Sequence, residues 1–444
     1  MVESTYTTDP ASETAATASP VTRKVRIRSI DTLRGVALLG ILLMNIIAFG
    51  LPYASYFNPV FDSNLEGINL STYVAMDIFV EGSMRGIFSM LFGAGFLLFI
   101  TKPDANEDLV RGLYFRRTVL LILIGVFNAY ILVWPGDILF TYGVAGLLLY
   151  VFRHYSAKKL ALVSGIIFAF LAILHTASQM YPRELHGEVL EIEALPASTE
   201  LNQEQQQTIA EWDTFLDQQF FTPELAEQDL QIRKGGYIET FQFLVLFNLI
   251  IQTVGLVASG LWDALAMMLL GMAFMKWGIF NASRSMKFYL GMFVIGFGTG
   301  LPINYFEVNA FVSSGFQIYW EAASRPTYDL GRLLVAIGYI GLIMMVCKSG
   351  ILHLLRSALA SVGQMALTNY LSQSLICNAI FMGWGFNLLG ELDRFQIYYV
   401  VLGVWLFQLI VSPIWLRYFR FGPAEWLWRS LTYKTKQQWR LQAV

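Results

Sequence analysis

Two short stretches of this chain carry acids and arginines inside apolar runs, where charge is expensive. In DIFVEGSMRGIFSMLFGAG (77–95), Asp77, Glu81, Arg85 and Ser89 recur at every fourth position, one polar ridge on an otherwise apolar helix. An ionised group at mid-bilayer costs about 2.5–3.5 kcal/mol on insertion scales, so these side chains must face a bundle interior or water. Glu81 and Arg85 are spaced to pair, Glu81 is a candidate for proton coupling or acid–base work, and Asp77 suits either the ridge or the outer interface. In RSIDTLRGVALLGILLMN (28–45), Asp31, Arg34 and Asn45 fall along one stripe. Asp31 and Arg34 read either as anchors of a first span or as a cytoplasm-facing site, with the arginine as fork for a phosphate or carboxylate. Asn45 reads as a helix–helix hydrogen bonder or part of the same lining, and Gly35 and Gly40 allow a neighbouring backbone to approach.

A third polar run, GQMALTNYLSQSLICNAIF (363–381), places Gln364, Thr368 and Ser372 on one stripe and Asn369 and Gln373 on the next. Hydrogen bonds between helices and a lining for a polar headgroup are both open. Of four histidines, His154 and His353 lie in loops beside basic residues and His186 lies beyond the fifth span. His175, near the outer end of that span, is the one best placed to serve as a base. No zinc spacing, phosphate-binding loop, dinucleotide fingerprint or nucleophile elbow occurs, and Cys347 and Cys377 sit in apolar runs.

The elements that must position these residues are membrane helices. The 444 residues are 56% hydrophobic and only 14% charged, against roughly 25% charged in soluble domains. Runs long enough to cross the hydrocarbon layer fall at 33–51, 72–100, 112–133, 137–152, 158–180, 285–306, 328–347, 358–382 and 395–416. Lys and Arg before the first span, between spans two and three, between four and five, and in the tail 417–444 put both ends in the cytoplasm. Those charges agree only if 237–278 crosses an odd number of times. That favours one span at 259–277, with 237–257 as a lateral or re-entrant helix, ten crossings in all; a second crossing there would make eleven. Trp134 and Trp384 then mark outer ends, and Trp277, Trp415, Trp426 and Trp428 inner ones.

The expected fold is therefore an all-α polytopic bundle. It comprises a disordered tail (1–28), a five-span unit (29–180), an extracytoplasmic insert (181–236), a second membrane unit (237–433) and a cytoplasmic tail (434–444). The insert holds twelve acids against three basic residues, and Ile209, Trp212, Phe215, Leu216 and Phe220 give it amphipathic helical spacing. Glu425 and Arg429 are spaced for an i,i+4 pair on a short amphipathic helix. That helix docks on the inner leaflet or closes a pocket beside Asp31 and Arg34.

These stretches, together with MRGIFSMLFGAGFLL (84–98), GQMALTNYLSQS (363–374) and FRFGPAEWLWRSLTY (419–433), resemble the YeiB-like family of bacterial inner-membrane proteins. The match runs over nearly the whole chain, and GPAEWLWRSLTY is its most specific part. The IDTLRG segment is also similar to the entry helix of transmembrane acyltransferases of the heparan-α-glucosaminide N-acetyltransferase type. That resemblance implies a multi-span bundle, often a homodimer, with an acyl-CoA donor bound from the cytoplasm and an outer-face histidine that handles the acyl group. The loop 52–71 that would carry this histidine has none. The expectation is a membrane acyltransferase acting on a glycan or lipid acceptor. Asp31, Arg34 and Arg429 would then serve the donor, and Asp77, Glu81 and Arg85 the path. A non-enzymatic transporter or lipid-binding protein is the alternative. Membrane lipids are partners on either reading; nucleic acid is not.

Overall fold

Inside hydrocarbon every backbone N–H and C=O must be bonded within its own segment, and this chain answers with helices throughout. A computed structural model describes residues 26–101, 106–196, 198–217 and 222–441, with no strand among them. The expected disorder of the first residues, and the amphipathic position read for Phe220, lie outside the described residues. The protein is an all-α polytopic membrane protein, with seven helical stretches long and apolar enough to cross a bilayer among the described residues.

Helix α1 (Arg28–Gly50) is the central post: Leu33, Ala37, Leu38, Leu42 and Ile46 are wholly buried on its different faces. Around it stand α2 (Ile68–Phe79), α3 (Ser83–Ile100), α4 (Glu107–Val126), α5 (Leu139–Leu149) and the long α6 (Ala157–Glu193). The insert contributes α7 (Gln203–Asp217) and α8 (Pro223–Arg233), followed by α9 (Tyr237–Ile250) and α10 (Leu261–Lys276). The second membrane unit adds α11 (Met286–Ser313), α12 (Ile318–Ser349), α13 (His353–Gln364), α14 (Ala366–Phe381), α15 (Ile397–Tyr418) and the short α16 (Pro423–Tyr433).

Close approach to α1 is set by glycine, as its sequence suggests. A Cβ on Gly35 would collide with the Leu359 carbonyl of α13, and one on Gly363 with the Asp31 carbonyl, so the two backbones touch at a reciprocal glycine pair. Gly40 accommodates the Met84 side chain instead of a backbone.

Three expectations change. The region 237–277 has no lateral or re-entrant turn: α9 and α10 are joined through a π-helical stretch, Ile251–Gly260, into one unbroken run of 40 residues. The expected span at 358–382 is broken at Met365, whereas that at 72–100 stands within one apolar stretch, Ile68–Ile100, that turns between α2 and α3. Trp134 is no interfacial marker: it is buried and stacks on Phe49, with ring centroids 3.9 Å apart.

The insert is tied down at two places. Helix α7 packs on the extension of α6 through Trp212, Leu185 and Val189. On α8, Arg233 donates to the carbonyls of Ala48 (3.0 Å) and Leu51 (2.8 Å), which close the C-terminal end of α1. Asp229 holds Arg233 through both oxygens and accepts from the Tyr53 amide at 2.7 Å.

Candidate functional site

The break between α2 and α3 is where the charged ridge lies. Gly82 takes φ +65°, a conformation that L side chains rarely adopt, and a Cβ there would sit 2.5 Å from Cδ of Arg332. Glycine is needed for the turn and for the passage of that arginine. The turn brings Asp77, Glu81 and Arg85 to the wall of one cavity of about 300 Å3, which His175 of α6, Asp263 of α10, Glu307 of α11 and Tyr328, Asp329 and Arg332 of α12 also line. Broken helices at membrane depth are tolerated where they line such a cavity.

Within this chamber the partners are not those the spacing implied. Glu81 accepts a hydrogen bond from the Tyr328 hydroxyl at 2.6 Å, in place of pairing with Arg85. Arg332, 4% exposed, donates to Asp263 at 2.6 Å and to Asp329, and its guanidinium lies 4.6 Å from the Tyr328 ring centroid. The second oxygen of Asp329 has no hydrogen-bond partner among the described residues, and His175 Nδ1 lies 4.0 Å from it. Arg85 keeps Glu81, Asp263, Tyr56 and Tyr328 as electrostatic neighbours, yet its half-buried guanidinium makes no hydrogen bond or ion pair to any described residue. Ser89, the last member of the ridge, bonds the Tyr142 hydroxyl at 2.6 Å. The roof is braced by Arg394, which holds Asp62 (2.5 and 3.0 Å) and the Ser55 carbonyl (2.9 Å).

Sequence reasoning missed Asp263, Glu307, Asp329, Arg332 and Arg394. Asp329 and Arg332 repeat, at the head of another apolar run, the acid-x-x-arginine spacing of Asp31 and Arg34. Asp263 is a lone acid in the apolar run of α10. The cost of burying charge applies to them equally and is the signal that would have found them.

The remaining sequence candidates fall elsewhere. Asp31 is 4% exposed and is held by Arg26 and Arg34, each at 3.1 Å, at the opposite end of α1 from Met44 and Ile47 of the chamber wall. The thirteen helical steps from Arg34 to Ile47 correspond to about 20 Å of helix. Around this end gather Arg117, whose guanidinium lies 3.9 Å from the Trp428 ring centroid, and Arg429, 4.6 Å from that of Phe421. Burial and, after it, the charge of Arg26 hold Arg429 below the ordinary guanidinium value. A guanidinium stays protonated regardless, so the shift marks a desolvated corner where positive charges gather.

Asn369 and Gln373 are in neither place. They sit in a seam between α14 and α15, where Asn369 donates to Ser412 (3.0 Å) and Val362 (3.1 Å), and Gln373 donates to Gln408 (3.1 Å). Asn45 is half-buried and outside the chamber wall.

Glu425 likewise does not pair with Arg429. Its carboxylate reaches across to the start of α14 and accepts from the Leu367 amide (2.7 Å), the Thr368 amide (3.1 Å) and the Thr368 hydroxyl (2.5 Å). It is an N-cap supplied by another helix, where the helix dipole also favours a negative charge. Glu425→Ala should leave these amides unsatisfied, cost about 2–4 kcal/mol and lower the thermal midpoint in detergent. Glu425→Gln, which keeps acceptors, should lose roughly half as much. Equal midpoints for native and alanine proteins would rule out the cap.

Residues 274–435 match the family described as Protein of unknown function (DUF418). The chain is 30% identical over 410 residues to Uncharacterized protein YeiB of Escherichia coli (strain K12), covering 91% of this chain and 95% of that protein. It is 25% identical over 437 residues to Uncharacterized protein YxaH of Bacillus subtilis (strain 168), covering 94% of this chain and 97% of that one. No solved structure matches. With a relative this similar aligned over nearly its full length, and with α11–α16 falling within the matched domain, the chain belongs to the YeiB-like family.

Proposed function

We propose that this protein is a membrane acyltransferase of the bacterial inner membrane, passing an acyl group from a cytoplasmic donor to a glycan or lipid acceptor on the outer face. The distribution of Lys and Arg supports ten crossings with both ends cytoplasmic, the unbroken α9–α10 run being the sixth. The observation that carries the reading is one chamber holding an uncommitted Arg85 guanidinium and a histidine set against a buried carboxylate. His175 takes the proton of the acceptor hydroxyl or amine as it attacks the acyl carbonyl, and Asp329 orients the imidazole. Arg85 stabilises the oxyanion of the tetrahedral intermediate. The bond from acyl carbon to donor sulfur breaks, and the thiolate leaves with the proton returned by His175. His175 Nδ1 and Asp329 stand 4.0 Å apart, so the pair must close by about 1 Å for Asp329 to hold the imidazole. At the other end, Arg34 and Arg429 hold the anionic part of an acyl-CoA donor.

A second reading, binding or transport without chemistry, is favoured by the dry stretch between the two ends. There Leu38, Leu42, Ile87, Met90 and Met268 are wholly buried. Purified protein in lipid, incubated with radiolabelled acetyl-CoA, separates them. Donor binding should fall about ten- to a hundredfold in Arg34→Ala. No donor binding by the native protein would leave the second reading.

A further inference from the structure

The chamber is acidic. Asp77, Glu81, Asp263, Glu307 and Asp329 stand in its wall against Arg85, Arg332 and Arg394, and Arg394 is already matched by Asp62. Five acids against the two remaining arginines leave three negative charges in excess among the described residues, with His175 neutral. An excess of one sign inside a bundle is costly and is met by a counter-charge or by bound protons. One of the acids points to a ligand. The Asp329 side chain is 5% exposed, gives one oxygen to Arg332, and has no hydrogen-bond partner for the other among the described residues. A buried carboxylate oxygen in that state lacks a donor. Beside the acids stand Tyr56, Phe57 and Phe311, ring surfaces of the kind that accept a cation. The acids come from α2, the turn after it, α10, α11 and α12, and among the described residues no three His, Cys, Asp or Glu side chains are gathered as a metal ion requires.

We propose that the chamber takes an organic cation with N–H donors, a primary ammonium, held by Asp329 and Glu81. An ammonium has three donors and no acceptor, which suits a wall of carboxylates. Asp329 can receive it while still facing His175, because a carboxylate oxygen accepts two hydrogen bonds. Glu81 accepts from the Tyr328 hydroxyl on one oxygen, which leaves its other oxygen for a ligand. For the acyl-transfer reading, on which this last step rests, the consequence is a class of acceptor. A nitrogen kept protonated among carboxylates has no lone pair for attack. The attacking group is then a hydroxyl of the same molecule, whose proton goes to His175 while the ammonium keeps its own. Oxygen bonds to the acyl carbon, the bond from that carbon to the donor sulfur breaks, and the acceptor is an amino alcohol.

The full chain in a neutral maltoside detergent tests this with tritiated tyramine, read by equilibrium dialysis at neutral pH. Tyramine is an aromatic primary ammonium small enough for a chamber of about 300 Å3. Its uncharged counterpart, 4-hydroxyphenylethanol, should need about a hundredfold higher concentration than unlabelled tyramine to displace it. N,N,N-trimethyltyramine, charged but without N–H donors, should need about tenfold more. Glu81→Gln, which keeps an acceptor for the Tyr328 hydroxyl, should weaken tyramine about tenfold with a thermal midpoint near the native one. Glu211→Gln, on the exposed side of α7, should bind as the native protein does. Equal displacement by the uncharged counterpart, or no saturable tyramine binding, overturns the cation site and leaves the excess charge to bound protons. Equal displacement by the trimethyl compound overturns the donor to Asp329, and an unchanged affinity in Glu81→Gln overturns the part given to Glu81. The comparison of compounds uses native protein, so it decides the matter even where the variant does not fold. No acyl donor enters the readout, so the cation site and the acyl-transfer reading can fail separately.

Discussion

A His175→Ala protein should bind labelled acetyl-CoA as the native chain does and transfer the label about a hundred- to ten-thousandfold more slowly. The separation of the two effects is the informative part. His175 lines the chamber, about 20 Å of α1 away from Arg34, so its removal touches no donor contact. Asp329→Asn should lower the rate by a comparable factor, because Arg332 claims the amide oxygen, which turns the amide NH2 toward His175, favours the wrong imidazole tautomer and removes the charge. That substitution also weakens the link to Arg332, so its thermal midpoint must be measured beside its rate. A His175→Ala rate within tenfold of the native one would remove this histidine as the base. Glu81, bonded to the Tyr328 hydroxyl, would be the next residue to test.

The largest stability effect should come from Gly363→Val. A Cβ at this position meets the Asp31 carbonyl and the Gly35 amide, both backbone, and neither can move as a side chain does. The helices α1 and α13 must separate, and α1 is the post on which the two large buried apolar clusters are built. Overpacking of a rigid contact costs about 1–3 kcal/mol and more where backbone is involved, so the expected loss is at least about 3 kcal/mol. It would be read as a lower thermal midpoint and a lower yield of monodisperse protein. Gly165 in α6 supplies the control: nothing lies within 4 Å of its Cβ direction, and Gly165→Ala should be neutral or slightly stabilising through helix propensity. Equal behaviour of the two substitutions would mean the α1–α13 contact is looser than described. The separation should also draw Asp31 and Arg34 away from Arg429, so Gly363→Val should weaken donor binding even in the fraction that folds.

The sequence by itself determined that this is a helical membrane protein and that its intramembrane charges face inward. Both follow from one-dimensional physics: a run of apolar residues matches the bilayer thickness, and a charge in lipid costs several kcal/mol wherever the rest of the chain goes. On the same grounds Gly35 could be read as a point of close approach. Only the tertiary structure decided which polar groups meet. Spacing along a helix offers Glu81 the partner four residues on, but the break at Gly82 and a phenol 247 residues away give it Tyr328 and leave Arg85 uncommitted. The i,i+4 rule likewise offers Glu425 to Arg429, whereas the amides at the head of α14, unsatisfied by their own helix, claim it. Arg332 joins acids 3 and 69 residues away in sequence. Local periodicity fixes which face of a helix is polar; which helices stand beside that face depends on packing across the whole bundle. For that reason the polar stripes of 28–45, 77–95 and 363–381, alike in sequence, end in an arginine-rich corner, a shared chamber and a hydrogen-bonded seam.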